Sequence, residues 1–351
     1  MKVSRSFRLS LVAVIAMGGT MVSAPVSANA NAAEASVKQS FMKADELGRE
    51  WIEKMSRAMQ DQTYVGTFVY LHGDEVETMK IYHSKINGVE HERLISLNGE
   101  AREIIRDADS VVCIWPGTKS VIVSKAQPRT PFPQFEPAQL ESLSEFYEFR
   151  KGRDERVAGR RTKVIDIVPQ DDYRYGYRLW IDTETFLLIR SAMSDNTGRL
   201  VEQVMFTSIT YPDTVPLEMF NASISGKRHE WMVEDEQPFK PIEPIITTDI
   251  PGVDEMALPG GFELVSNKVT PVAGSTNAVR RLMYSDGLAS MSVFISSADD
   301  QSAGGALHGA TSMGAVNAFG VLHQQWHATV VGEVPRSTVE MLAKSMLIAS
   351  R

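Results

Sequence analysis

The sequence has almost no cysteine, since Cys113 is the single one among 351 residues. One cysteine excludes an intrachain disulfide. Cys113 lies in the apolar run Val111–Trp115, which favours a buried, unreactive thiol. No second cysteine or histidine stands at metal-ligand spacing from it, so it indicates no metal site.

The sequence also lacks an excess of positive charge, because its formal net charge is -8. A mildly acidic protein is a poor general binder of nucleic acid, so we expect no nucleic-acid partner. A chain of 351 residues is too long for one ordinary core, so we expect two folded domains.

Long apolar runs are missing as well. Leu9–Val22, the longest, is shorter than the roughly 20 residues that span a bilayer. Three basic residues precede it, and the A-x-A triplet Ala28–Ala30 follows it, so residues 1–30 are predicted to be a secretory signal peptide. We expect cleavage after Ala28 or Ala30 and a soluble exported protein. An uncleaved membrane anchor is the alternative that the short apolar run disfavours.

Catalytic motifs are absent too. The sequence contains no G-x-S-x-G, no phosphate-binding loop and no G-x-G-x-x-G that opens a helix. His323 and His327 are four residues apart, but Gln324 stands where a zinc protease has glutamate, and the flanking residues look like strands. We therefore predict a protein that is not an enzyme and that binds no metal or other cofactor.

What the sequence does contain is a series of short apolar runs between Thr63 and Lys125, separated by turn signals. Asn87-Gly88 and Asn98-Gly99 supply the positive φ angles that tight hairpins need. Many of the runs alternate apolar and polar residues, as half-buried strands do. The pattern predicts an antiparallel meander with the strands Tyr64–Leu71, Glu77–His83, His91–Leu97, Val111–Trp115 and Ser120–Ser124.

Further elements extend this sheet. A helix is predicted over residues 41–60. The short segment Leu140–Arg150, which mixes apolar and charged residues, is also predicted to be helical. From Arg156 to Tyr211 the pattern predicts about four more hairpin-linked strands. Nine or more antiparallel strands with one N-terminal helix predict a large, strongly curved sheet or open barrel.

A proline-rich segment, residues 127–140, interrupts the strands and carries Phe132 and Phe135. Four prolines exclude both a helix and a central strand. Long loops of this kind in compact domains are usually either functional or disordered. The two rings suggest a lid or contact segment, although they could instead only anchor the loop.

Six prolines between residues 212 and 252 mark a linker, and a small α+β domain of roughly 100 residues follows it. Its predicted strands are Phe262–Val269, Ala278–Ser285, Ala289–Ser296, Ala315–Gly320 and Val321–Val331. Ala303–Gly314 is predicted to be a flexible loop. Ser337 and Glu340 predict a capping box that opens the final helix. The predicted apolar stripe of this helix consists of Val339, Leu342, Ala343 and Met346.

The predicted large sheet has more apolar side chains than one helix can cover. Either two layers meet in a dry core or a cavity remains, and periodicity cannot distinguish these arrangements. Which face each strand turns inward is also open, because a one-residue register error reverses it. The candidate cavity-lining residues are Phe68, Tyr70, Ile81, Trp115 and Trp180.

The mature chain resembles the RseB/MucB family along nearly its whole length and in the family's order. The segments that carry the resemblance are residues 64–107, Val157–Arg160, Tyr173–Arg190, Leu258–Phe262, Met291–Ile295, Gly314–Ala318 and Val330–Pro335.

The resemblance implies a mainly β fold with helices (α+β), in which a large LolA-like unclosed β-barrel domain precedes a smaller α+β domain. It implies a lipid-binding domain over residues 34–225, a proline-rich linker over 226–252 and a C-terminal domain over 253–351. It supplies no catalytic residues.

The resemblance also implies a periplasmic negative regulator of the extracytoplasmic sigma-factor stress response. Such a protein binds the periplasmic part of a membrane-spanning anti-sigma factor and shields it from regulated proteolysis. Lipid, lipopolysaccharide or a mislocalised lipoprotein would be the release signal. The alternative is a periplasmic lipid or lipoprotein carrier of the LolA type, which would not need the second domain. The sequence leaves the oligomeric state open, a homo-oligomer included.

Overall fold

The computed structural model describes residues 45–107, 110–118, 120–124, 132–133, 135, 140–223, 230–234, 256–271, 278–298, 307–323 and 326–348. The predicted signal peptide and most of the predicted linker lie outside these residues. Within the described residues, no helix combines the length and apolar character needed to cross a membrane.

The larger of two sheets has 13 strands, and its order is β13-β6-β5-β4-β3-β2-β1-β12-β11-β10-β9-β7, with β8 pairing only to β9. Neighbouring strands are antiparallel, except that β13 runs parallel to β6. The strands are β1 Tyr64–His72, β2 Glu75–Ile86, β3 Val89–Ser96, β4 Glu103–Arg106, β5 Val111–Trp115, β6 Ser120–Ser124, β7 Tyr147–Lys151, β8 Glu155–Val157, β9 Arg160–Pro169, β10 Gly176–Asp182, β11 Leu188–Ser194, β12 Leu200–Thr210 and β13 Glu230–Glu234.

The order of this sheet confirms the mainly β class and the unclosed large sheet. β13 and β7 are its two edges, and no pairing between them closes the sheet within the described residues. All five meander strands predicted from the sequence are present, and the turn at Asn87 and Gly88 has the expected positive φ angles of 53° and 83°.

Four strands of the large sheet, β4, β7, β8 and β13, were not predicted. β4 is only four residues long, and β13 lies inside the segment predicted to be a linker. The segment Leu140–Arg150, predicted to be helical, forms only the short helix α2, Leu140–Leu143, before β7 begins. Pairing with the long strand β9 decides this conformation, and Tyr147 and Phe149 alternate into the core as a strand requires.

The described part of the N-terminal helix, α1, covers residues 45–61. One side of α1 is apolar: Ile52 and Met55 are at most 1% exposed, and Trp51 and Met59 are partly buried against the same core. Asp45, the first described residue of α1, accepts a hydrogen bond from the backbone N–H of Phe149 at 3.1 Å, which ties α1 to β7. The helix therefore packs on the face of the sheet that holds the main core.

The smaller sheet has six antiparallel strands in the order β14-β15-β16-β19-β18-β17. They are β14 Glu263–Pro271, β15 Ala278–Ser285, β16 Ser290–Ser297, β17 Gly309–Met313, β18 Val316–His323 and β19 Trp326–Gly332. The final helix, α3, is Arg336–Ile348. Its predicted apolar stripe is confirmed, since Val339, Leu342, Ala343 and Met346 are buried.

Three predictions for this domain were wrong. The break between the last two strands was predicted after Gly320, but β18 continues to His323 and β19 begins at Trp326. Part of the predicted flexible loop, Gly309–Met313, is strand β17, because it pairs with β18. The predicted capping box does not form: α3 begins at Arg336, and the carboxylate of Glu340 bonds the side chains of Arg336 and Lys344, one turn away on either side.

Candidate functional site

The candidate site is a cleft of about 430 Å³ on the core-facing side of the large sheet. This lies within the volume range of small-molecule sites in proteins. The apolar floor of the cleft comes from strands β1 to β4 and β10 to β12 and from the proline-rich segment. Its apolar lining residues are Tyr70, Met79, Leu94, Ile104, Phe132, Pro133, Tyr177, Met193 and Val204.

Two of the residues selected from the sequence, Tyr70 and Phe132, line this cleft. Phe68 and Ile81 are on the same side of the sheet but are 0% exposed, inside the packed core. Phe68 packs edge-on against Phe206 and Phe132, with ring centroids 5.8 and 5.3 Å apart. Phe135 is also in the core and contacts the ring of Tyr177. Both phenylalanines of the proline-rich segment thus anchor it to the sheet.

Trp115 and Trp180 are not brought to the cleft. Trp115 is the partly buried last residue of β5 and is not a member of the main core cluster. Trp180 lies on the opposite side of the sheet from Phe68. The strand register shows this, because Trp180 pairs with Arg190, Arg190 with Met205, and Met205 with Val69, the neighbour of Phe68.

On that opposite side Trp180 has polar neighbours. Its indole N–H donates to Glu155 at 2.8 Å, and the guanidinium of Arg190 stacks 4.1 Å from its ring. Burial lowers the pKa of Arg190, although the charge of Glu155 opposes this. A second, more open cleft of about 860 Å³ lies here, and its walls carry charges of both signs, including Asp166 and Arg178.

The rim of the first cleft is polar. Arg102 forms an ion pair with Glu77 at 2.7 Å. Glu202 accepts a hydrogen bond from the Tyr70 hydroxyl at 3.0 Å and one from the backbone N–H of Ala315 at 3.0 Å. An apolar floor with a charged rim is an arrangement that suits an amphiphile, whose chain enters the floor while its head stays at the rim.

The remaining wall of the cleft comes from the small domain, through Leu288, Ser290 and Glu333. Leu288 lies in the turn between β15 and β16, and Glu333 donates its backbone N–H to the carbonyl of Ser290 at 3.2 Å. Sequence reasoning did not select these residues, because no local pattern connects them to the large sheet.

The only cluster of potential metal ligands within the described residues is formed by His72, Glu75 and Glu77, whose ligand atoms lie within 4.8 Å of one another. Glu77 already pairs with Arg102, and this cation competes with any metal ion. His323 and His327 do not form a helical pair, since they lie on the neighbouring strands β18 and β19. The ring of His327 instead contacts the carbonyl of Leu307 at 2.9 Å.

Comparison with known proteins gives matches over most of the chain. Residues 48–224 match the MucB/RseB N-terminal domain, and residues 253–347 match the MucB/RseB C-terminal domain. The sigma factor AlgU regulatory protein MucB of Pseudomonas aeruginosa is 29% identical over 308 residues, which cover 85% of this chain and 90% of MucB.

Two solved structures have a similar fold. The Pseudomonas aeruginosa MucA/MucB complex contains a chain with a TM-score of 0.63 and 26% identity, and the match covers 84% of this chain and 96% of that one. A MucB structure in complex with MucA(peri) has a TM-score of 0.61 and 25% identity over the same shares.

Proposed function

This chain belongs to the MucB/RseB family, and from that membership we propose that it is a periplasmic negative regulator of a stress sigma factor. It binds the periplasmic part of a membrane-spanning anti-sigma factor, shields that segment from regulated proteolysis and releases it when a lipid or lipoprotein binds. The observation that carries the proposal is the match of both domains to a family in which a MucB relative forms a complex with MucA. Holding and releasing a partner requires no catalytic chemistry.

The cleft on the large sheet supports the lipid part of the proposal. A methylene group that leaves water for an apolar site contributes about 0.8 kcal/mol, so an acyl chain can be retained without any specific polar contact. The polar rim at Arg102, Glu77 and Glu202 leaves the head of an amphiphile in contact with charged groups.

A lipid carrier would need the same cleft, so the cleft alone does not favour the regulator. The second domain does, because a carrier has no need of it. The two functions differ in their partner: a regulator binds a defined protein segment, whereas a carrier passes its lipid to a membrane or another carrier.

Partner binding is tested by titrating the purified full-length mature protein with the synthetic periplasmic segment of the cognate anti-sigma factor. We expect a saturable complex, and slower cleavage of the segment by the site-one protease when the protein is present. A segment that does not bind, or that is cut equally fast in the complex, would contradict the regulator.

Lipid binding is tested with two variants in one strand. Ile104 and Ile105 are adjacent in β4 and both partly buried, but only Ile104 lines the cleft. We expect Ile104→Asp to weaken the binding of fluorescently labelled palmitate at least tenfold, and the matched control Ile105→Asp to leave it unchanged. Equal effects of the two substitutions would argue against this cleft.

A further inference from the structure

The turn between β15 and β16 is one place where the small domain is joined to the large one. Its Asp286 side chain is fully buried, and one carboxylate oxygen accepts the backbone N–H groups of Leu288 and Ala289. The other oxygen accepts two hydrogen bonds from the large domain, one from Arg174 at 2.7 Å and one from the Tyr147 hydroxyl at 3.0 Å. One carboxylate therefore shapes the turn and joins the two domains.

Arg174 is the large-domain side of this joint, and its side chain is also fully buried. Its guanidinium donates to the backbone carbonyl of Gly260 in the small domain at 2.6 Å and to Asp171 at 3.1 Å. It also lies 4.9 to 5.4 Å from the ring centroids of Phe146, Tyr147 and Phe262. The buried guanidinium of Arg174 needs the carboxylate of Asp286 as its counter-charge, because a buried charge without compensation is strongly unfavourable.

Close packing surrounds the joint. Gly261 has a φ of 82°, and a Cβ atom at this position would collide with the ring of Phe146. Burial, followed by the charge of Asp286, raises the pKa of Tyr147 well above its ordinary value, so the phenol keeps the proton that it donates. The joint is thus specific for one docked arrangement of the domains.

The same turn also forms a wall of the cleft. Leu288 and Ser290 lie two and four residues after Asp286, and both line the cleft together with Tyr70 and Val204 of the large sheet. The Arg174–Asp286 pair therefore holds the turn whose residues Leu288 and Ser290 complete the cleft.

We propose that this cleft is a two-domain ligand site, in which one acyl chain contacts the large sheet on one side and Leu288 on the other. The inference rests on the proposed lipid binding and adds its regulation. A ligand that contacts both domains binds the docked arrangement more tightly than the separated one, and so it shifts the population toward docking. Such coupling is reciprocal. Breaking the contact between the domains therefore lowers the affinity for the ligand by the factor by which the ligand favours the docked arrangement.

The test uses the full-length mature protein and fluorescently labelled palmitate. Asp286→Asn keeps the shape of the side chain but removes its charge from Arg174, and we expect the Kd for palmitate to rise about tenfold or more. Leu288→Ala leaves the joint intact and removes only the apolar contact, and we expect a rise of several-fold. Asp166→Asn is the control, because it removes an ion pair with the exposed Arg178 on the opposite side of the sheet.

A second measurement follows the joint directly. Palmitate should slow hydrogen exchange at the amides of Leu288 and Ala289 in the unsubstituted protein. If Asp286→Asn fails to fold, Leu288→Ala and the exchange data decide. Palmitate that binds the unsubstituted protein and Leu288→Ala equally, with unchanged exchange at the turn, would overturn the two-domain site while leaving lipid binding standing. Failure of the unsubstituted protein to bind palmitate would overturn both.

Discussion

At the scale of single residues, the core of the large domain depends on a few aromatic side chains. Phe68 and Phe206 are paired across β1 and β12, and Phe132 stacks on Phe206 with ring centroids 5.4 Å apart. Gly66 leaves the space that the Phe206 ring occupies, since a Cβ there would lie 2.6 Å from that ring. These rings hold the proline-rich segment beside the cleft.

Phe68→Ala should lower the free energy of unfolding by about 3–5 kcal/mol, because it removes a ring from a site that is 0% exposed. Val76→Ala is the control, since Val76 is 53% exposed and surface changes usually stay within about 0.5 kcal/mol. Urea unfolding of both variants measures the difference. Similar unfolding midpoints for the two variants would mean that the ring is not part of a close-packed core.

A buried acid gives a residue-scale prediction for pH. Burial raises the pKa of Glu92, and the nearby charges of Arg106 and His83 oppose this only in part. Between the ordinary glutamate pKa, about 4.3, and this raised value, the folded state binds more protons than the unfolded state. The Glu92 contribution to stability is therefore present at low pH and is lost as the pH rises through that window.

Glu92→Gln should remove this contribution, so that the unfolding free energy of the variant falls less with rising pH in that window. Urea unfolding in buffers from about pH 4 to about pH 7 gives the unfolding free energy of the unsubstituted protein and of the variant as a function of pH. Parallel curves would show that the protonation of Glu92 does not contribute.

At the scale of elements, the hairpins depend on their turn residues. In the β2–β3 turn, Asn87 and Gly88 both have positive φ angles, of 53° and 83°. A glycine adopts this left-handed conformation without strain, whereas for a residue with a Cβ the conformation is unfavourable by about 1–2 kcal/mol.

Gly88→Ala should therefore lower the unfolding free energy by about 1 kcal/mol. Gly117, between β5 and β6, is the matched control, because its φ is not positive and the nearest atom to an added Cβ is 3.9 Å away. There the same substitution should be neutral or slightly stabilising, since alanine restricts the unfolded chain. Thermal unfolding compares the two, and an equal loss at both sites would contradict the argument from φ.

At the scale of the whole molecule, the two domains form a contact through several buried groups besides the Arg174–Asp286 pair. Asn317 donates to the Tyr175 hydroxyl at 2.9 Å, and Thr338 donates to the carbonyl of Tyr173 at 3.0 Å. A protein partner that touches both domains would therefore depend on their relative orientation. Lipid in the cleft should then change the affinity for such a partner.

We expect the apparent Kd for the anti-sigma periplasmic segment to rise with lipid concentration and then reach a plateau. Coupled separate sites permit a ternary complex and so give a plateau, whereas competition for one surface does not. Titrating the segment at increasing palmitate concentrations distinguishes them. An apparent Kd that rises without limit would exclude the coupling, and no dependence on palmitate would exclude the lipid sensor as well.

The sequence by itself determined the elements whose signals are local. The Asn-Gly turns and the alternation of apolar residues predicted the meander, and the bounds of β15 were predicted to the residue. The apolar stripe of α3 predicted its buried face. Such signals suffice because the period of side-chain direction along a strand or helix is a property of the backbone.

Only the tertiary structure decided which faces and which distant residues meet. The alternation in sequence shows only that Phe68 and Trp180 lie in strands with an apolar side. The pairing of the four strands β1, β12, β11 and β10 decides that the two side chains lie on opposite sides of one sheet. Irregularities at Thr67/Phe68 and Trp180/Ile181 shift that register. Arg174 and Asp286 are 112 residues apart, so their buried pair has no local signal. The cleft depends on both the strand pairing and this ion pair, because its walls come from two domains that are distant in the sequence.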